Sequence, residues 1–430
     1  MKVKVITLGC KVNQYESEAM LSDLLQHGFT AAEEHETADV VILNSCTVTA
    51  ESDRKVRQLF RRAKKDNPDA VMVLSGCMAQ AFPEDAQRLE EADIILGTSN
   101  RKRLLPNLMA FLSARQRIVD IAPHTNDEKF EDLQVDSFTG RTRAFVKIED
   151  GCNRFCSYCI IPYARGRVRS KALADLKAEI EGLAANGYKE VVLTGINLSA
   201  YGQEFGLHLC DAIETACAVE GIERVRLGSL EPELLPEAVI QRMAKQKKLC
   251  PQFHLSLQSG CDATLKRMNR HYTAEDYRTI VRNLRTAFEN AAITTDIMVG
   301  FAGETEEEFA ASLAFAEEIA FAKVHVFAYS RRPGTKAYNM GDQLTNAVKE
   351  ARSREMIRVT TETQKQFFAE QTGRTEAVLF ERMVMPGVYE GYSMNYTPVL
   401  ASSGKDLSGQ ILNVRIDSYN DTHCIGTITE

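Results

Sequence analysis

The chain opens on an apolar run, residues 3–9 (VKVITLG), followed by Met20, Leu21, Leu24 and Leu25 at helical spacing and then Gly28. A strand and then a glycine-capped helix is the simplest structure with that pattern. The unit repeats: VVILN (40–44) is a buried-strand run, and Val56, Leu59, Phe60 and Ala63 recur at i, i+3, i+4 and i+7, one apolar helix face. AVMVLSG, a helix near residues 84–91, DIILG and a last helix carry the alternation to about residue 112. Strands apolar throughout, alternating with helices, predict a parallel sheet covered on both faces.

Residues 113–140 lose this rhythm and hold the polar, acidic stretch APHTNDEKFEDLQVD, which reads as a linker. From Ala144 the alternation resumes: AFVKIED, helix 173–186, EVVLTG, helix 208–219, RVRLGSL, helix 236–245, FHLSLQSG, helix 274–289, ITTDIMVGF, helix 305–319 and KVHVFAYS. About six βα units predict a full or partial parallel barrel with function at the carboxyl ends of its strands. A long polar helix, roughly 345–371, comes next. The last 60 residues alternate over short segments (EAVLFE, GVYEGYSMNYTPVLA, QILNVRIDS, CIGTIT) split by Gly, Pro and Asn, the pattern of a small antiparallel barrel.

Composition narrows the class. Charged residues make up 26% of the 430 and no run approaches ~18 apolar residues, so no membrane span is expected. The apolar core at the amino terminus is too short for an export signal, and eleven cysteines without such a signal imply a reducing, cytoplasmic setting. A net charge of −7 argues against a surface that is basic throughout, while leaving room for local basic patches.

The chemistry gathers in GCNRFCSYC, residues 151–159, where Cys152, Cys156 and Cys159 stand at C-x3-C-x2-C spacing with no fourth cysteine before Cys210. Zinc sites normally complete four ligands. A 4Fe–4S cube on three thiolates instead keeps one iron free of protein, which makes it a binding position. Three more cysteines, Cys10, Cys46 and Cys77, each follow a predicted strand, in VITLGC, VILNSC and VLSGC. In a parallel sheet those positions share the edge where such sheets bind ligands. Three buried cysteines is the plainer alternative.

The first loop resembles the radical S-adenosylmethionine (SAM) superfamily, with Tyr158 as the aromatic before the last cysteine. Nearly the whole chain resembles the radical SAM methylthiotransferase family. Beyond the six cysteines the resemblance rests on CIIPYARGRVRS, LTGINLSAYG, LQSGCDATLKRMNR, DIMVGFAGETEEEF and HVFAYSRRPGTKA, with Ala302 where the family usually has proline and Cys261 where serine is common. It implies a flavodoxin-like cluster domain at 1–112, a linker at 113–140, a radical SAM (βα)6 partial barrel at 141–370 and an RNA-binding TRAM barrel at 371–430. It implies two 4Fe–4S clusters as well, one on Cys152, Cys156 and Cys159 that cleaves SAM to a carbon radical, one on Cys10, Cys46 and Cys77 that holds sulfur. Both open irons would then face one cavity between the domains.

Thr194, Gly195 and Asn197 fall where the superfamily holds the methionine part of SAM, and Gly300 and Glu304 where it borders the adenosine, although Glu304 equally suits a helix start. Arg165, Arg167, Arg169 and Lys171 follow the cluster loop as candidates for tRNA phosphates or the SAM carboxylate, and Arg331 and Arg332 at the sixth strand's end are candidates for substrate. A basic stretch from Arg54 to Lys65 reads as plain helix surface. Residues 371–430 carry four Arg or Lys against seven Asp or Glu, so RNA contact there would need a few placed groups, such as Tyr389, Tyr392 and Tyr396.

Three branches of the family compete, acting on isopentenyladenosine in tRNA, on threonylcarbamoyladenosine in tRNA, or on ribosomal protein S12. The stretches TLGCKVNQYESEA and NSCTVTAESDRKVRQ look most like the threonylcarbamoyladenosine branch. The first branch reads more like YGCQMN and NTCAIRE at the first two cysteine sites. The expected partners are the tRNA anticodon stem-loop and a flavodoxin- or ferredoxin-type reductase, and the expected state is a monomer. A non-enzymatic iron–sulfur electron carrier and a zinc-bearing RNA-binding module are the rivals from other classes.

Overall fold

Strands Val40–Ser45 and Val71–Gly76 are buried at every position, which is why they read as unbroken apolar runs. The structure, a computed structural model, describes residues 1–429 apart from positions 34, 136 and 139. These two strands sit at the centre of a six-stranded parallel sheet in the order Thr30–Ala31, Lys2–Thr7, Val40–Ser45, Val71–Gly76, Ile94–Leu96, Ile118–Asp120. In chain order that is 2-1-3-4-5-6, a flavodoxin-like winding whose direction reverses between the first and third strands. Val56, Phe60 and Leu74 pack on one face, and Met20, Leu24, Leu108 and Phe111 on the other. A crevice therefore opens at the carboxyl ends of the first and third strands, just before Cys10 and Cys46.

The stretch read as a linker is more structured than its composition implied. Ile118–Asp120 adds the sixth strand to the sheet. Leu133, Val135 and Phe138 are buried in the core of the next domain, and the Tyr15 hydroxyl donates to the Leu133 carbonyl. Sparse apolar anchors in a polar background carry no periodicity, so the pattern missed them. Positions 136 and 139 of this stretch, and Glu430 of the last domain, lie outside the described residues.

Six parallel strands follow in sequential order: Arg143–Lys147, Glu190–Thr194, a third interrupted at Gly228 (Arg224–Leu227 and Ser229–Leu230), Gln252–Leu255, Ala292–Val299 and Lys323–Ala328. Among the described residues no pairing joins the first to the sixth, so the barrel is open along that side. The first helix, Lys11–Gln26, packs on Arg143–Lys147 and brings residues 9–12 to the opening. The helix expected near 84–91 is Pro83–Gln87, restarted by Pro83 after the short Cys77–Ala81. The short helix Asp262–Arg267, in the stretch LQSGCDATLKRMNR, lies outside the predicted set.

The long helix Asn346–Gln371 packs across Lys323–Ala328 and leads into a closed barrel of Thr375–Met385, Val388–Ser393, Pro398–Ser402, Cys424–Ile428 and Ile411–Tyr419. That barrel docks on the amino-terminal ends of the core strands. Arg224 donates to the carbonyls of Tyr392 and Ala377, Arg226 to those of Ser393 and Met394, and Arg143 pairs with Glu381.

Candidate metal centres and the shared cavity

The loop carrying Cys152, Cys156 and Cys159 is held from both sides. The Cys152 amide donates to Gly166 O at 3.0 Å and the Ser157 amide to Met268 O at 2.9 Å. Asn269 donates to the carbonyls of Arg154 and Phe155, the latter a left-handed residue with φ +49°. All three thiols are half-buried. Burial pushes the Cys152 thiol up to about 12 and the Cys159 thiol higher, with Cys156 adding to both. Arg270 Nη1 lies 3.3 Å from Cys156 Sγ and pairs with Glu231; sequence reasoning missed both residues. Tyr158 packs edge-on against Phe301, centroids 6.3 Å apart, tying the loop to the turn after Ala292–Val299.

Thr194 is buried at its strand end, and Asn197 Nδ2 reaches Cys152 Sγ at 3.8 Å. A Cβ on Gly195 would lie 2.6 Å from Glu149 Oε2, so only glycine lets the turn approach that carboxyl. Glu149, another residue the sequence did not flag, accepts from the Asn197 amide at 2.7 Å and is pushed well above the carboxylate range by burial. Its Oε1 and the Asn197 Oδ1 are buried without a partner beside the cysteine loop. Orphaned polar atoms at that place fit a polar ligand such as the amino-acid end of SAM. Gly300 and Glu304 form a closed turn instead: the Gly300 amide donates to Glu304 Oε2 at 2.7 Å, and Arg352 takes the same oxygen. The structure thus gives the Glu304 carboxylate to the turn and to Arg352 of the long helix, whereas the start of the next helix is capped by Thr305 and Glu308.

Cys10, Cys46 and Cys77 meet at the crevice of the first sheet. Cys10 Sγ donates to Asn13 Oδ1 at 3.2 Å, and Asn13 Nδ2 bonds Asn44 Oδ1 and Ser45 O, which knits the first loop to the second. Ser45 Oγ donates to Ser75 O and accepts from the Met78 amide, which knits the second to the third. Burial pushes Cys77 up to about 12; Arg165 opposes the rise, and Cys46 and Cys10 add to it, so the three sulfurs share one environment. Among the described residues no three His, Cys, Asp or Glu side chains close to single-ion distance. A cube needs a wider triangle, because its ligands sit on separate irons.

The arginines expected at substrate mostly hold domains together. Arg165 is wholly buried: it donates to Cys77 Sγ and Asn13 Oδ1, each at 3.2 Å, and pairs with Glu16 and Asp150. Arg169 pairs with Glu128 and Asp150, and Lys171 with Asp132 and Glu179. Arg332 pairs with Asp53 at 2.7 Å and donates to Thr47 Oγ1, next to Cys46. These placements correct the expectation that Arg165, Arg169 and Arg332 contact substrate, because each charge is already matched inside the protein. Arg167 and Arg331 stay exposed, Arg167 bonded to Asn126 and Arg331 stacked 4.4 Å over Tyr338. Tyr389 is buried in the terminal barrel, and Tyr392 and Tyr396 stack on each other between Arg143 and Arg226, so they pack the joint instead of offering a free face to bases.

A cavity of about 750 Å³ fills the open barrel, lined by Cys10, Lys11, Thr194, Gly195, Asp296 and His325 among others, with Tyr392 and Tyr396 at its base. Cys10 of the Cys10–Cys46–Cys77 triad and the turn that touches Cys152 thus border the same space. Lys11, also missed by the sequence reading, is accessible within this cavity, yet desolvation by the surrounding protein, then Arg143 and Arg226, push its ammonium down to about 8.

Residues 146–316 match the Radical SAM superfamily, and residues 2–97 match a family described as uncharacterized protein family UPF0004. The solved structure of the radical SAM methyltransferase TsrM from Kitasatospora setae, with tryptophan and a SAM analogue bound, has a TM-score of 0.59 at 14% identity, covering 89% of this chain and 79% of that one. At that identity the likeness concerns the fold alone. The Radical SAM match, which contains the three-cysteine loop, defines the class: a radical SAM enzyme with a 4Fe–4S cluster and SAM as cofactors.

Threonylcarbamoyladenosine tRNA methylthiotransferase MtaB of Bacillus subtilis (strain 168) is 37% identical over 418 residues, spanning 95% of this chain and 92% of the relative. The MtaB of Thermotoga maritima is 38% identical over 424 residues, spanning 97% and 95%. The tRNA-2-methylthio-N(6)-dimethylallyladenosine synthase of Pelotomaculum thermopropionicum is 33% identical over 439 residues, spanning 100% and 98%. The chain belongs to the radical SAM methylthiotransferase family.

Proposed function

We propose that this chain converts N6-threonylcarbamoyladenosine beside the tRNA anticodon to its 2-methylthio derivative, using a second 4Fe–4S cluster on Cys10, Cys46 and Cys77. The observation that carries the reading is the single cavity bordered by Cys10 and by the Thr194–Gly195 turn. The adenine C2–H bond is not acidic, so no side-chain base suits it. When bound, the core cube with SAM supplies a carbon radical that can take this hydrogen, and the second cube supplies the sulfur. The chain's own part is placement. Cys152, Cys156 and Cys159 hold the first cube, Asn197 and Glu149 orient polar atoms beside it, and Asn13, Asn44 and Ser45 hold the second triad's loops together. The barrel walls and the terminal domain keep water from the reacting base.

Arg167 and Arg331 are the exposed candidates for phosphates of the anticodon stem-loop. The electron donor in this reading is a flavodoxin- or ferredoxin-type reductase, the enzyme works as a monomer, and its compartment is the cytoplasm. No helix among the described residues is long and apolar enough to cross a membrane.

The test is anaerobic turnover on three substrates: stem-loops bearing threonylcarbamoyladenosine or isopentenyladenosine, and ribosomal protein S12. Methylthiolation of the first with about eight irons per chain is expected. Turnover of either other substrate in its place refutes the assignment, and about four irons refutes the second cluster.

A further inference from the structure

Among the described residues, one ammonium of the cavity wall has neither a hydrogen-bond nor an ion-pair partner. Lys323 Nζ, at the rim, donates to Gln364, and Asp296 faces His254 at 3.4 Å. Deeper in, Arg226 pairs with Glu190, and Arg143 with Glu381 and Glu190. Lys11 lines the cavity with no hydrogen bond or ion pair to any described residue. An ammonium held in a protein-walled space with no carboxylate in ion-pair contact is a half-made ion pair.

The chemistry of the substrate offers the other half. On adenine, C2 and N6 flank N1 along one edge, so whatever reads an N6 substituent must lie close to whatever delivers sulfur to C2. Lys11 follows Cys10 directly in the chain. The threonylcarbamoyl group carries a carboxylate, whereas an isopentenyl group carries no charge. We propose that Lys11 binds the carboxylate of the N6 substituent and so selects an anionic modified adenosine over an apolar one. This rests on the substrate reading above and adds the residue that enforces it. Lys11 is a specificity residue in this role; no proton or electron passes through it.

The test uses the reconstituted full-length enzyme and two stem-loops, one with native threonylcarbamoyladenosine and one with its carboxylate as the methyl ester. Kd, KM and kcat are measured for wild type, Lys11→Gln and Lys11→Arg, with iron content and the cluster EPR spectrum recorded for each. Wild type is expected to bind the acid at least about tenfold more tightly than the ester. Lys11→Gln should erase that preference through Kd and KM, and Lys11→Arg should retain most of it. Equal affinity of wild type for acid and ester overturns the proposal without any variant. Equal losses on both substrates in Lys11→Gln also overturn it, since a structural role has no reason to tell them apart. A wild type inactive on the native stem-loop refutes the substrate reading and this proposal together, whereas an active one that ignores the carboxylate refutes this proposal alone.

Discussion

Glu16 is the point at which the first two domains can be tested as one structure. It sits on the first helix and is wholly buried. Its carboxylate faces Arg101 of its own domain at 2.9 Å, Lys147 of the first barrel strand at 2.9 Å, and Arg165 after the cysteine loop. Asp150 shares Lys147 and Arg165 and adds Arg169. Burial alone would raise the Glu16 carboxyl, but Arg101, Arg165 and Lys147 outweigh it and hold the group at about 2, against an ordinary 4.5. At ~1.4 kcal/mol per tenfold change in proton affinity, that gap corresponds to about 3 kcal/mol. Breaking a buried pair from one side typically costs ~3–5 kcal/mol, so the two routes agree in size.

Glu16→Gln is therefore expected to destabilise the protein by about 3 kcal/mol at pH 7. The folded-state value lies below the unfolded one, so the stabilisation is fully present above about pH 4.5 and fades as the pH falls toward 2. The chain has no tryptophan, so urea unfolding is best followed by circular dichroism, on wild type and variant at pH 7 and again near pH 3.5. The gap should shrink at the lower pH. A difference under ~1 kcal/mol at pH 7, or one that stays constant on acidification, would refute the reasoning.

Three further outcomes follow from the same geometry. Arg332→Met removes the partner of Asp53 and Thr47; iron analysis should show the second triad's cluster lost while the core EPR signal remains, and full iron content would count against the coupling. Arg270→Gln withdraws an N–H from Cys156 Sγ, so the core cluster's midpoint potential in an EPR-monitored titration should move negative, and an unmoved potential would dismiss the contact. Gly76→Ala puts a Cβ 2.5 Å from Asn44 Oδ1 at φ +100°, and should cost about 1–3 kcal/mol by denaturation and loosen the Cys77 loop; a neutral substitution would contradict the crowding.

The sequence by itself determined what short-range spacing encodes. Continuous apolar runs such as VVILN and VMVLS come from strands covered on both faces, and the three-cysteine loop declares its chemistry within nine residues. The strand-end positions of Cys10, Cys46 and Cys77 were legible because a parallel sheet brings successive strand ends to one edge. Only the tertiary structure decided the fate of the charges. RGRVRS reads as a patch for phosphates or the SAM carboxylate, yet Arg165 and Arg169 prove to be internal struts, because a cation's role is fixed by the counter-charge it meets. Arg165 meets Glu16 from 149 positions away, and Arg332 meets Thr47 from 285. Lys11 is the converse: nothing in TLGCKVN announces an ammonium that stands in the barrel cavity with no hydrogen-bond or ion-pair partner among the described residues.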